Sequence, residues 1–165
     1  MIHKTKFKDL VIIQNKKYKD SRGFLIEVLK NKDLKKNFLF MFFSYSKKDV
    51  IRGLHIQTQK LQGKYISVLK GKILDVVLDL RKNSKTFGKT FKVILSDKNN
   101  KSLFIPPGFA HGFCGIDKEN YMLYNCTKYR DAKSEVCIKY NDEDLKIKWP
   151  TKKPIISKKD RKNIS

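Results

Sequence analysis

From Phe38 to Lys139 the chain reads as short runs of alternating apolar and polar positions cut by turn-forming residues, which is the period of strands. The clearest stretch is KYISVLKGKILDVVLDLR (64–81), two apolar-rich runs broken at Lys70-Gly71-Lys72, a hairpin signal. In its second run Leu74, Val76, Leu78 and Leu80 share one face, and Asp75, Val77 and Asp79 share the other. The segments TFKVILS (90–96), SLFIPPGFAHGF (102–113) and NYMLYNCTKY (120–129) continue the series, separated by turn-rich SDKNNK and GIDKE. Helical periodicity is scarce. Only NKDLKKNF (31–38) and NDEDLKI (141–147) are short helix or turn candidates. Many closely spaced strands predict an all-β sandwich or small barrel.

Several polar residues interrupt this pattern. IRGLHIQ (51–57) puts Arg52 and His55 inside a strand, and IPPGFAHGF (105–113) does the same with His111. Asp75, among Leu and Val, needs a partner or a cavity beside it. Arg52 and His55 are three apart, so a regular strand points them to opposite faces, but Gly53 can host a bulge that re-aims one. His111 shares its face with Phe109 and Phe113, Lys64 opens a strand after Gly63, and Tyr124 shares a side with Met122 and Cys126. Taken alone, a strand histidine is more often structural than a base. A metal held by His55, His111 and Asp75 is a rival; the missing His-x-His pair and the nearby Lys64 and Arg52 weigh against it.

Composition narrows the classes. The 165 residues fit one domain, with an N-terminal arm (1–37), a core (about 38–140) and a C-terminal segment (141–165). Three cysteines without a CxxC pair read as reduced thiols and a cytoplasmic location. The first residues lack a signal peptide's apolar run, and FLFMFF (38–43) is far short of the ~20 residues a membrane helix needs, so no membrane partner is expected. The net charge of +22 is mostly lysine spread along the chain. A nucleic-acid module would interleave aromatics with those cations on an exposed face; here the aromatics sit in apolar strand contexts, and no nucleic-acid partner is expected.

The blocks DSRGFLIEV (20–28), IRGLHIQ, QGKYISVLKGKILDVVLDLRKNSKTFG (62–88), LFIPPGFAHGF, MLYNCTKY and NDEDLKIKWP resemble, in order, those of the dTDP-4-dehydrorhamnose 3,5-epimerases and related epimerases of nucleotide-linked 4-keto sugars. The resemblance covers residues 5–160. It implies a cupin-type jelly roll with short peripheral helices, usually a homodimer, acting without a metal or dissociable cofactor. It makes His55 the general base, Tyr124 the acid on the opposite face and Lys64 the partner of the sugar C4 oxygen, with His111 beside it. Asp160, in PIISKKD (154–160), matches the aspartate of a His–Asp dyad. Arg52 matches a diphosphate or sugar contact, and Asp75 a supporting carboxylate. Gln57 and Tyr129 join the substrate contacts, and Arg22 and Glu27 fit a segment that reaches the partner's site. The implied substrate is a dTDP- or GDP-linked 4-keto sugar, inverted at C3, C5 or both. FMFFSYS (40–46) departs from the family's usual Gln and Asn, which leaves the guanosine form open. A 3,4-ketoisomerase on the same barrel is the sister reading.

Overall fold

Alternation along the chain becomes, in three dimensions, alternation between two sheets. The computed structural model describes residues 1–161, the side chain of residue 33 excepted. Ile2–Lys4 (β1) and Val11–Gln14 (β2) precede a hairpin of Lys17–Asp20 (β3) and Gly23–Ile26 (β4), then the helix Asn31–Leu34 (α1). Phe40–Lys47 (β5), Ile51–Gln57 (β6), Lys64–Lys70 (β7), Lys72–Asp79 (β8) and Thr90–Ser96 (β9) follow. Lys101–Ile105 (β10), Phe109–Gly115 (β11), Glu119–Cys126 (β12) and Glu135–Cys137 (β13) complete the set. One sheet is ordered β1-β2-β10-β7-β12-β5 and the other β13-β6-β11-β8-β9, while β3 and β4 pair only with each other among the described residues. This is the expected jelly roll. β1 and β2, within residues 1–37, extend the larger sheet.

The hairpin expected at Lys70-Gly71-Lys72 does not form. β7 and β8 lie in different sheets, and the glycine is a corner between them. Gly71 has φ +89, and a Cβ there would sit 2.2 Å from the Glu119 carbonyl oxygen. The buried Asn120 holds the corner, its Oδ1 accepting from the Lys72 N–H at 3.0 Å and its Nδ2 donating to the Ser46 carbonyl at 3.1 Å. A contact with β12, some fifty residues on, therefore decides what Gly71 does.

The space between the sheets is filled by Phe7, Ile66, Val77, Leu103, Phe113 and Met122, among others. The outer face of β8, with Leu74, Val76, Leu78 and Leu80, is covered by Ile138, Leu145, Ile147 and Trp149 of the C-terminal segment. Burial on both faces explains why β8 is apolar on both. Only one helix forms among the described residues. At 141–147 the Asp142 carboxylate accepts from the N–H groups of Asp144 and Leu145 at 3.1 and 3.2 Å, a side-chain turn that competes with helix. The last four residues of the expected C-terminal segment lie outside the described range. Among the described residues no helix is long and apolar enough to cross a membrane. All three cysteines are free and buried.

The DLRKNSKTFG block serves the scaffold. The buried Asp79 carboxylate accepts from Arg81 Nε and Nη2, both at 2.8 Å, and from the Ser84 and Thr86 hydroxyls, both at 2.6 Å. Burial pushes the Asp79 carboxyl up, but the bonds from Arg81, Ser84 and Thr86 outweigh it and hold it well below the usual carboxylate range. A depressed folded pKa stabilises the protein above about pH 4, and that stability is lost as the pH falls through the folded value. Asp79→Ala, by stranding a partly buried guanidinium, should lower the urea-unfolding free energy at neutral pH by about 3 kcal/mol. The variant's deficit should shrink on acidification.

Candidate active site

A bulge decides which side chains reach the cavity. Along β11 the step from His111 to Phe113 is matched on β6 by the longer step from His55 to Arg52, so β6 carries one extra residue at Gly53 and Leu54. That puts Arg52 and His55, three apart, on one face, as the bulge reading required. Gly53 has φ +113, and a Cβ on it would lie 2.6 Å from both Gly112 Cα and the His111 carbonyl oxygen. Gly112 is as tight from its own side, 2.7 Å from the Arg52 carbonyl. The glycines of RGLH and AHGF thus press two backbones together.

The face opens on a cavity of about 590 Å³ between the sheets, whose wall includes Arg52, His55, Gln57, Lys64, His111 and Tyr124. His55 and His111 stand directly opposite each other across β6 and β11. Lys64 and Tyr124 come from β7 and β12 of the other sheet. The His111 and Tyr124 rings meet edge to face at 6.2 Å. The sheets therefore present imidazoles on one wall and a cation and a phenol on the other.

Each imidazole has a carboxylate behind it. His55 Nε2 is 2.7 Å from Asp160 Oδ1, and His111 Nε2 is 2.8 Å from Asp75 Oδ2. Asp160 is buried although the tail is nearly at its end; Ile155 bridges to Val50, and Ser157 Oγ accepts the Asp160 N–H at 3.1 Å. Burial raises the Asp160 carboxyl, but the hydrogen bond and charge of His55 outweigh it and leave it below the ordinary aspartate range. His55 keeps about a quarter of its side chain exposed (26 %), whereas that of His111 is closed off at 6 %. His55 is thus the imidazole a ligand can reach.

Burial lowers the Lys64 pKa, with Cys126, Glu135 and Asp75 pulling the other way. A lysine softened like this is a stronger hydrogen-bond donor. Tyr124 is shifted upward by burial and by the Asp75 charge, so it holds its proton. Arg52 is aimed by bonds from Nε to Ser46 Oγ at 3.0 Å and from Nη2 to the Tyr45 carbonyl at 3.2 Å.

The remaining predicted residues stand further back. Gln57 lines the cavity, but its Nε2 donates to the Lys60 carbonyl at 3.1 Å and its Oε1 accepts from the Asp131 N–H at 3.1 Å, which ties two rim loops together. Tyr129 is exposed at the rim, its ring 6.0 Å from Phe40. Arg22 and Glu27 lie on or beside the β3–β4 hairpin, paired with Asp20 and Lys30, and not in this chain's cavity.

Sequence reasoning passed over Glu135, Arg130 and Ser44, which also line the wall. Glu135 bonds Arg130 Nε at 3.0 Å and pairs with Lys159, the neighbour of Asp160. Burial works against its charge, but those cations bring the carboxyl down to about 2. A three-residue strand in a polar stretch gave no periodic signal for it; Ser44, two residues from Phe42 on the same strand face, had one. As metal donors, His55, His111 and Asp75 do not cluster. The donor atoms of His55, Cys137 and Asp160 do fall within 4.8 Å of one another, with burial holding the Cys137 thiol up at about 11.

The family model described as dTDP-4-dehydrorhamnose 3,5-epimerase matches residues 4–165. The chain belongs to the dTDP-4-dehydrorhamnose 3,5-epimerase family. The enzyme of that name from Methanothermobacter thermautotrophicus is 40 % identical over 166 residues, covering 96 % of this chain and 90 % of that one. The dTDP-6-deoxy-D-glucose-3,5-epimerase of Legionella pneumophila, solved in complex with dTDP-4-keto-L-rhamnose, superposes with a TM-score of 0.93 at 41 % identity, over 97 % of this chain and 89 % of that chain. The Bacillus anthracis dTDP-4-dehydrorhamnose 3,5-epimerase, with TDP and PPi bound, gives 0.93 at 38 % identity, over 98 % and 96 % of the two chains. The fold is the cupin-type jelly roll of this epimerase family, and the chain is an isomerase of that class.

Gly53→Ala tests the bulge. Its methyl would collide with backbone, so β6 and β11 must separate, and the melting temperature, read by a thermal scan, should fall by several degrees.

Proposed function

We propose that this chain inverts C3 and C5 of a dTDP-linked 4-keto-6-deoxyhexose, in the cytoplasm, for bacterial surface polysaccharide. The opposition of His55 and Tyr124 across one cavity, with Lys64 on the wall, carries the assignment. The free, buried thiols suit a reducing compartment. The Legionella and Bacillus relatives were solved with thymidine nucleotides, which favours dTDP over the guanosine alternative.

A carbon next to a ketone is a weak acid, and its proton leaves at neutral pH only if the enolate oxygen is stabilised. In this reading His55 takes the proton, with Asp160 fixing the tautomer and favouring the imidazolium. Lys64, with His111 beside it, donates to the C4 oxygen; one such donor supplies about 3 kcal/mol. Tyr124 then protonates the carbon from the other face, which inverts it. The ketone at C4 acidifies both neighbours, so one base and one acid serve both centres. Each inversion leaves an imidazolium and a phenolate, and solvent resets them.

His55→Ala should lose deuterium incorporation from D2O into C3 and C5 by at least about 10³-fold while remaining folded. Tyr124→Phe should keep the incorporation and lose the inversion, both read by NMR of the sugar nucleotide. Full exchange in His55→Ala would remove that residue from the role of base.

We also propose a homodimer whose β3–β4 hairpin enters the partner's cavity, where Arg22 and Glu27 meet substrate. In support, Phe24 and Leu25 are 62 % and 60 % exposed on a hairpin that joins neither large sheet. Arg22→Ala and His55→Ala, each inactive alone, should recover roughly a quarter of wild-type activity when unfolded together and refolded as mixed dimers. No recovery would confine Arg22 to its own chain's site.

A further inference from the structure

Proton delivery by Tyr124 creates a problem that proton removal by His55 does not. When the phenol O–H breaks and the new C–H bond forms, the electron pair stays on the phenolate oxygen. That oxygen belongs to a residue only 5 % exposed. The Asp75 carboxylate already opposes negative charge there, and so does burial. In the resting state the phenol's own proton points, among the described residues, to Met122 Sδ, 3.9 Å away, a weak acceptor. The charge therefore needs a donor that becomes engaged only as it develops.

Ser44 has the right position and the right lack of partners. Register sets Phe42 opposite Tyr124 and Ser44 opposite Met122, so Ser44 is the diagonal neighbour of Tyr124 on the cavity face. Phe42 lies flat against the Tyr124 ring, centroids 4.4 Å apart and planes 7° from parallel, which fixes the phenol in its plane. The Ser44 Oγ is buried and has no formed hydrogen bond among the described residues. It is close enough to the phenol to favour its ionised form, as Arg52 also does. Arg52, however, is already engaged by Ser46 and Tyr45. A buried hydroxyl without a partner costs stability in the resting protein, and a donor satisfied only in the transition state speeds the step that satisfies it.

We propose that Ser44 donates its hydroxyl hydrogen bond to the Tyr124 phenolate as the phenol's proton passes to carbon, so that Ser44 governs inversion but not proton removal. This deepens the epimerase reading and rests on it. Ser44 acts through Tyr124, as a residue that holds and stabilises the acid.

Ser44→Ala and Ser44→Thr, compared with wild type on a dTDP-linked 4-keto-6-deoxyhexose in D2O, separate the steps. In Ser44→Ala, inversion should fall about 10²-fold, while deuterium enters unreacted substrate at a rate within about twofold of wild type. Ser44→Thr keeps a hydroxyl and should restore inversion to within about tenfold of wild type. The melting temperature of Ser44→Ala should be unchanged or higher, because an unsatisfied group has been removed. Equal losses of exchange and inversion with a lower melting temperature would make Ser44 merely structural and overturn the proposal. Undiminished inversion in Ser44→Ala would overturn it as well. If wild type shows neither exchange nor inversion, the epimerase reading fails, and the proposal with it.

Discussion

The close approach of Gly53 and Gly112 is the constraint on which the site hangs. Two backbones can meet there only because neither residue carries a Cβ. The extra residue on β6 then turns His55 toward His111 and the cavity and keeps Arg52 on the same face. The effect propagates along the ladder. β13 pairs with β6 so that Cys137 faces His55 and Glu135 faces Gln57. The C-terminal tail brings Asp160 under His55 and Lys159 to Glu135. A regular strand at β6 would point either the arginine or the histidine away from the cavity.

Two imidazoles with carboxylates behind them look redundant, but their surroundings differ. His111 and Asp75 are both buried and sit in the core between the sheets. His55 is partly open, and its carboxylate comes from the basic C-terminal segment, not from a strand. An open imidazole can exchange protons with substrate and solvent; a closed one can hold a fixed hydrogen bond toward an oxygen. Lys64 and Arg52 add positive charge on the cavity wall, where an enolate and a diphosphate would need it. The surplus of +22 over the whole chain does not itself make the site.

Local pattern revealed the strands and their faces because side-chain alternation is a property of a few neighbouring residues. The division of β8 into Leu74-Val76-Leu78-Leu80 and Asp75-Val77-Asp79 faces is how the two layers pack. What local pattern misread was set by distant contacts. Gly71 looks like a hairpin glycine until the Glu119 carbonyl is beside it. The His55–Asp160 pair spans 105 residues, and no periodicity links them. Only the resemblance to a family suggested it. Glu135 had neither signal, because its identity as a wall residue depends on β13 pairing with β6.

Some groups at the site are poorly satisfied by the protein itself. Asp75 Oδ1 and Ser44 Oγ are buried without partners among the described residues, while Asp79, outside the cavity, has every oxygen engaged. A scaffold selected for stability alone would fill or remove such atoms, as it does around Asp79. Leaving them beside His111 and Tyr124 lowers the stability of the resting state in the region where, on the proposed mechanism, charge would appear and disappear during a turnover. The resting protein then lies closer in energy to the transition state than a fully bonded one would. The same logic fits Lys64, whose burial weakens its hold on its proton where an oxyanion would form. Asn100 Oδ1, away from the cavity, is unpartnered among the described residues too, so it is the combination with a cavity wall, as at Ser44 and Lys64, that fits the proposed mechanism.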